Sequence, residues 1–271
     1  MSKSAASAAE AAIVPRRGPV RKGVDAIRSV LFNLAFYGFN LIYLPLVVLP
    51  ATLVAGEGAI RRLIWVYCRS SVFLARWVMG IRLVYDGEEA LPRTGPIIIA
   101  AAHQSNMDPI ITYLLRSDVT ALAKKELFRV PVIGRVLSRI GIVKVDRQSG
   151  RAHRGMDQVG EAVRAEGKAL IVYPQATRVK PGDRRKLKSG AYHLQQDTGL
   201  PVYPVATNTG LFWRKGFFHR SGVAVFRVGE KLPHNLSKAA FMERLTDTVV
   251  HDSEALAEAA GFTRELEKQR T

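Results

Sequence analysis

From Ser29 to Gly56 the chain carries no charged side chain: the run SVLFNLAFYGFNLIYLPLVVLPATLVAG is framed by Arg28 before it and by Glu57, Arg61 and Arg62 after it. About 20 consecutive apolar residues are enough to span a bilayer core, so this segment is long enough to cross one. It is too long for a secretory signal, and no good cleavage site follows it. A second apolar stretch, Leu63 to Val84, is interrupted by Arg69, Arg76 and Arg82; it cannot cross cheaply and reads as amphipathic. Because basic residues flank the first segment on both sides, the positive-inside rule gives no orientation. That symmetry suits a segment that enters and leaves on one face, with Pro45 and Pro50 as bend points. The competing reading is a buried helical hairpin of a soluble protein. Residues 1–28, Ser/Ala-rich and then basic, read as a disordered N-terminus, and residues 29–84 as an apolar, membrane-associated helical region.

Charge narrows the partner classes. Forty Lys and Arg stand against 23 Asp and Glu, a net charge of +17, which points to nucleic acid, an anionic membrane surface or a phosphorylated substrate. Aromatic residues make up only 8% of the chain and no nucleic-acid-binding module is recognisable, so nucleic acid is the remote alternative. The single cysteine, Cys68, excludes an internal disulfide and any multi-cysteine metal site and fits a reducing compartment. The expected location is therefore membrane-associated on the cytoplasmic face, through monotopic insertion or a single span of residues 29–56.

Beyond about Ile81 short apolar runs alternate with amphipathic segments. Strands are predicted at Arg82–Tyr85, Ile97–Ala101, Thr120–Ala123, Ile142–Val145, Ala169–Tyr173, Val202–Ala206 and Val223–Val228, and helices near Pro109–Leu115, Val132–Arg139, Arg151–Glu166, Lys188–Gln196 and Lys238–Ala259. This alternation argues for an α/β fold, a mixed β-sheet flanked by helices, with ligands at the loops after the strands. The α/β domain is expected over residues 85–236, followed by a C-terminal helix in 237–271.

The first chemistry-bearing block follows the apolar run Pro96–Ala102: His103-Gln-Ser-Asn-Met-Asp108-Pro109. A His and an Asp five apart lie on opposite faces of a strand and about 140° apart around a helix. They meet only if the strand ends at His103 and the chain turns before a helix. Asp108 before Pro109 reads as an N-cap that supplies such a turn. In that geometry Asp108 orients His103 as a general base for a hydroxyl; spacing alone favours the other reading, a helix cap beside a loop histidine. The other histidines, His153, His193, His219, His234 and His251, have no evident partner and read as surface or structural.

A second block, Tyr173-Pro-Gln175-Ala176-Thr177-Arg178, ends another apolar strand and is followed by Lys180, Arg184, Arg185, Lys186 and Lys188. Thr and Arg at a strand end suit a phosphate, since Arg makes charge-assisted bidentate bonds and Thr adds a donor. The stretch from Lys124 through Glu126 to Arg147 places further basic residues at strand ends. The chain contains no G-x-S-x-G elbow, H-E-x-x-H helix, P-loop or G-x-G-x-x-G turn, so no metal or nucleotide cofactor is expected.

Together these blocks resemble the glycerolipid acyltransferases that make phosphatidic acid from 1-acylglycerol 3-phosphate. His103 and Asp108 match the family's H-x-x-x-x-D signature, A-K-K-E-L-F-R-V-P-V-I-G through G-I-V-K-V-D-R is similar to its second block, Y-P-Q-A-T-R to its F-P-E-G-T-R block, and Leu200-Pro-Val-Tyr-Pro to the strand that follows. The resemblance covers roughly Gly95 to Leu211. It implies acyl transfer from a thioester, acyl-CoA or acyl-carrier protein, to the sn-2 hydroxyl of the lysolipid. In that reading His103 and Asp108 are catalytic, and Arg178, Thr177, Lys124, Arg147 and Gln175 bind the substrate phosphate. Lysophospholipid, an anionic membrane and an acyl-carrier protein are the expected partners. Gln175 stands where the family usually has Glu, which keeps another acceptor such as a lyso-ornithine lipid in view. Ala176 stands where it usually has Gly, which demands a φ angle compatible with a Cβ.

Overall fold

The computed structural model describes residues 18–145, 160 and 163–262. Helix α1 spans Pro19–Val54. Pro19 occupies its first turn, where a missing N–H is harmless. The helix therefore begins within the part of 1–28 that the sequence assigns to a disordered N-terminus. Pro45 and Pro50 do not bend the chain back either. The helix widens into a π-helical turn over Leu44–Val48 and continues through Leu49–Val54, which accommodates the missing donors without a break. The reversal comes at Ala55 and Gly56, both extended.

Helix α2 runs back over Glu57–Leu74, closes with a π-helical turn at Ala75–Met79, and stops at Gly80 with φ +77. The two helices pair through side chains. The Tyr43 hydroxyl donates to the Leu63 carbonyl at 2.9 Å, the Tyr67 hydroxyl to Asn40 Oδ1 at 2.9 Å, and the Phe39 ring stacks on both tyrosines. Helix α1 is long and apolar enough to cross a membrane, and only 6% of its most apolar window is buried. That exposure disfavours the buried-hairpin reading.

The sheet begins at once after Gly80, four residues before the boundary read from the sequence. Strands β1 (Ile81–Asp86), β2 (Ile97–Ala101), β3 (Thr120–Lys124), β4 (Val143–Val145), β5 (Ala169–Val172), β6 (Val202–Thr207) and β7 (Gly222–Val228) form one seven-stranded sheet in the order β1-β7-β6-β2-β5-β3-β4. All neighbours are parallel except β6 and β7. A central parallel strand must be apolar on both faces, and β2 is buried at every residue. Ile97, Ile99 and Ala101 face a core shared with Phe32 and Phe36 of α1 and Ile111 of α3 (Met107–Leu115); Ile98 and Ala100 face one shared with Leu194 of α5 (Gly190–Thr198) and with Phe241. Helix α4 is Pro131–Arg139, and α6 runs from Lys238–Thr246 through a π-helical turn at Asp247–Asp252 into Ser253–Ala259. Most of the helix predicted at Arg151–Glu166 lies outside the described residues, as do 263–271 of the C-terminal region.

Helix α1 is attached to the α/β domain by more than grease. Its buried stripe is Asp25, Ser29, Phe32, Asn33 and Phe36, the i, i+4, i+7 spacing of one helix face. The three polar members engage the loop between β6 and β7. Asp25 Oδ1 accepts from Ser221 N–H at 3.1 Å, Ser29 Oγ accepts from His219 N–H at 2.9 Å, and Asn33 Nδ2 donates to the Phe217 carbonyl at 2.7 Å. The His219 ring lies between Phe32 and Trp213, with Nε2 3.3 Å from Asn33 Oδ1.

Burial, assisted by the charge of Arg214, lowers the His219 pKa to about 4. The folded state thus prefers neutral imidazole more strongly than the unfolded chain, whose pKa is near 6.5. The resulting stability is fully present above pH 6.5 and is lost as pH falls toward 4. Thermal unfolding in detergent should show a loss of stability over that window that His219→Phe reduces; parallel pH profiles for the two proteins would remove this role from His219.

Candidate active site

The loops that follow β2, β5 and β6 converge at one edge of the sheet, where ligands bind in open α/β folds. Strand β2 ends at Ala101, and a tight turn through Gln104, Ser105 and Asn106 leads into α3. The backbone on both sides of the His103 ring is fastened to the loop after β5: the His103 N–H donates to Gln175 Oε1 at 2.6 Å, and the His103 carbonyl accepts from Val179 N–H at 2.8 Å.

Asp108 is not the N-cap of α3. Asn106 holds that position, with helical dihedrals and no capping side chain, while Asp108 sits inside the first turn and is fully buried. Its carboxylate reaches backward over the turn. Oδ2 accepts the Gln104 and Ser105 N–H groups, both at 2.7 Å, and lies 3.1 Å from His103 Nδ1. Thr209 Oγ1, from the loop after β6, donates to Oδ1. Four donors thus converge on one acceptor group beside a positive helix end. An Nδ1–H facing the carboxylate leaves Nε2 as the open lone pair. The side chain of His103 is 19% exposed, so the ring is partly open to solvent.

Under the imidazole lies Tyr173, the residue after β5, with ring centroids 4.1 Å apart and planes 22° from parallel. Burial, then the negative charge of Asp108, raises the Tyr173 pKa well above the usual phenol value. The ring is therefore a neutral platform that fixes the plane of the base. Gln175 is buried, with its carboxamide oxygen committed to the histidine backbone. A neutral amide makes this bond as a carboxylate would, so Gln at this position keeps the support of His103. Arg178 and Thr177 are exposed beside the turn, and Arg178 Nη1 donates to Asn106 Oδ1. The guanidinium therefore borders the dyad with further donors toward solvent.

Lys124 ends β3 on the same edge of the sheet, and Arg147 lies outside the described residues. In the basic loop, Arg184 pairs with Glu254 at 2.9 Å and Arg185 with Asp183 at 2.7 Å, which makes these two arginines parts of the surface rather than anion ligands. The sequence reading missed Thr209 and the stacking role of Tyr173. Tyr173 adjoins a recognisable block and was within reach; nothing local marks Thr209.

Ala176 has φ +58, so the expectation of a backbone comfortable with a Cβ fails. The turn Tyr173–Ala176, closed by a 2.9 Å bond from Ala176 N–H to the Tyr173 carbonyl, places alanine in the left-handed region. That conformation costs an L-residue about 1–2 kcal/mol. Ala176→Gly should raise stability by about 1 kcal/mol after the entropy cost of glycine, readable by denaturant unfolding; a destabilised variant would contradict the strain. Thr209→Val, by stripping one donor from a buried carboxylate, should slow the acyl transfer implied by the resemblance by about tenfold or more with little change in KM. Thr209→Ser should restore it. Equal rates for the valine variant and wild type would show that Asp108 does not need this bond.

A family model described as Acyltransferase matches residues 82–208, which take in the loops after β2 and β5 and end just past β6. The chain is 31% identical over 167 residues to the 1-acyl-sn-glycerol-3-phosphate acyltransferase of Borreliella burgdorferi, covering 61% of this chain and 67% of that protein. To the enzyme of the same name from Pseudomonas aeruginosa it is 29% identical over 193 residues, 71% and 75% of the two chains. The fold is similar to the crystal structure of the 1-acyl-sn-glycerophosphate acyltransferase PlsC from Thermotoga maritima, with a TM-score of 0.69 at 22% identity, over 86% of this chain and 97% of that one. These likenesses show that the chain belongs to the acyltransferase family that includes the 1-acyl-sn-glycerol-3-phosphate acyltransferases.

Proposed function

We propose that this protein transfers a fatty acyl group from a thioester, acyl-CoA or acyl-carrier protein, to the sn-2 hydroxyl of 1-acylglycerol 3-phosphate, giving phosphatidic acid at the cytoplasmic face of a membrane. The observation that carries this reading is the His103–Asp108 pair, in which a buried carboxylate holds one ring nitrogen and leaves the other as the open lone pair at the ligand-binding edge of the sheet. The names of the relatives supply the substrate class.

His103 Nε2 takes the proton of the acceptor hydroxyl as its oxygen attacks the thioester carbonyl. Asp108 holds the ring in the Nδ1–H tautomer and stabilises the imidazolium that forms. Collapse of the tetrahedral intermediate breaks the carbon–sulfur bond, and the departing thiolate takes the proton back from Nε2. The base itself contributes roughly 10² to 10⁴ in rate; positioning of two lipid-borne groups supplies much of the rest. Arg178, with Thr177 and Lys124 on the same edge, offers charge to the acceptor phosphate. Helix α1, apolar and largely unburied, would keep this edge near the bilayer that holds the acceptor. The +17 charge favours an anionic leaflet and an acidic carrier protein alike.

Purified protein supplied with acyl-CoA or acyl-carrier protein and 1-acylglycerol 3-phosphate should yield phosphatidic acid. Activity confined to a lyso-ornithine acceptor would replace the phosphate-based reading. His103→Ala should abolish turnover without altering folding, and residual turnover near wild type would exclude it as the base. Arg178→Ala should chiefly raise KM for the phosphorylated acceptor; an unchanged KM would take the guanidinium out of phosphate binding.

A further inference from the structure

The loop between β6 and β7 holds two large aromatic side chains out in solvent. Phe217 and Phe218 are 50% and 58% exposed, with their rings edge to face at 5.3 Å. Arg214 and Lys215, just before them, are exposed as well, and Gly216 turns the chain between the charged and aromatic pairs with φ +106. The base of the loop is rigid. Trp213 and His219 are buried, Asn33 of α1 holds the Phe217 carbonyl, and Ser29 holds the His219 N–H. The aromatic pair is therefore carried at a fixed place against the flank of α1. One turn to either side of Asn33 on that helix, Val30 and Tyr37 are exposed, as is Leu34 beside it. The phenylalanines thus sit beside a helix whose apolar side chains are exposed among the described residues, and Arg214 and Lys215 adjoin them in the chain.

We propose that Phe217 and Phe218 are a second membrane contact, made by the catalytic domain, which enters an anionic phospholipid leaflet beside α1 while Arg214 and Lys215 meet the headgroup phosphates. This rests on the reading of α1 as the membrane-associated element. Aromatic side chains with adjacent cations suit the boundary between acyl chains and headgroups. The geometric consequence concerns orientation. A single amphipathic helix leaves the attached domain free to roll about the helix axis; a second contact off that axis fixes which edge of the sheet meets the leaflet. The loop that makes the contact also carries Thr209, the donor on Asp108, so the edge it fixes is the one that bears His103.

The single cysteine makes a direct test feasible. Cys68 is buried and its thiol is pushed up to about 12 by burial, so a cysteine introduced at the surface can be labelled selectively with a polarity-sensitive fluorophore. Full-length Phe218→Cys, with Phe217→Cys as the second position, is bound to phosphatidylglycerol vesicles that carry doxyl groups on their acyl chains. Leu34→Cys on α1 and Gln196→Cys on α5 serve as references. The expected result is a blue shift and loss of fluorescence at 217 or 218 comparable to that at 34, with 196 remaining aqueous. Arg214→Glu/Lys215→Glu should reduce the quenching at 218 while leaving that at 34. Quenching at 34 with aqueous labels at both 217 and 218 overturns the proposal alone. Aqueous labels at all three overturn the membrane reading of α1 and the proposal with it. Neither result depends on acyl transfer, which is measured separately.

Discussion

A buried carboxylate must be met by donors or it destabilises the fold by several kcal/mol, and at Asp108 that requirement organises the whole active edge. Its four donors come from the end of β2, from the turn before α3 and from the loop after β6. No one of these segments could satisfy it alone. The turn through Gln104 and Ser105 is shaped by the carboxylate it serves, and α3 starts where it does because Asp108 must point back over that turn. Catalytic geometry and local stability are thus one arrangement, with the histidine as the single donor of the four that also faces outward.

Around this centre the connections run outward in two directions. Toward β5, the N–H and the carbonyl of His103 are bonded to Gln175 and Val179, and the ring rests on Tyr173. Both the backbone and the plane of the base are thereby fixed, which is what a general base requires before its lone pair can be aimed. Toward α1, the loop that brings Thr209 to Asp108 is itself held by Asp25, Ser29 and Asn33. Polar side chains on an otherwise apolar helix thus register it against the catalytic domain. Apolar contacts such as those of Phe32 and Phe36 supply non-directional burial energy, whereas the three polar contacts fix rotation and axial position.

Much of the sheet was open to reading from local pattern. The predicted and observed bounds of β2 coincide at Ile97–Ala101, and the helical stretch Lys238–Ala259 was likewise found in place, because unbroken apolar runs and amphipathic periodicity carry over directly into buried strands and surface helices. The errors fell where a local rule met a non-local compensation. Pro45 and Pro50 read as bends, yet a π-helical turn absorbs them within α1. Residues 19–28 read as disordered because their basic composition says nothing of Asp25, whose carboxylate is claimed by a backbone N–H far along the chain. Ala176 read as incompatible with a left-handed turn, but the bonds that tie its loop to His103 hold it there against a strain of about 1–2 kcal/mol.

The apolar span, the alternation of strands and helices, and the candidacy of His103 and Asp108 are legible in the linear chain, since each depends on periodicity, composition or short spacing; that the two side chains pair is a property of the fold. The tertiary structure decided which distant groups complete the site: Thr209 against Asp108, Tyr173 beneath His103, and Asn33 against the loop of Phe217. The order of strands brings the first two pairs together and the docking of α1 the third, and hydrogen bonding and ring stacking act over a few ångströms, a distance the sequence does not encode locally.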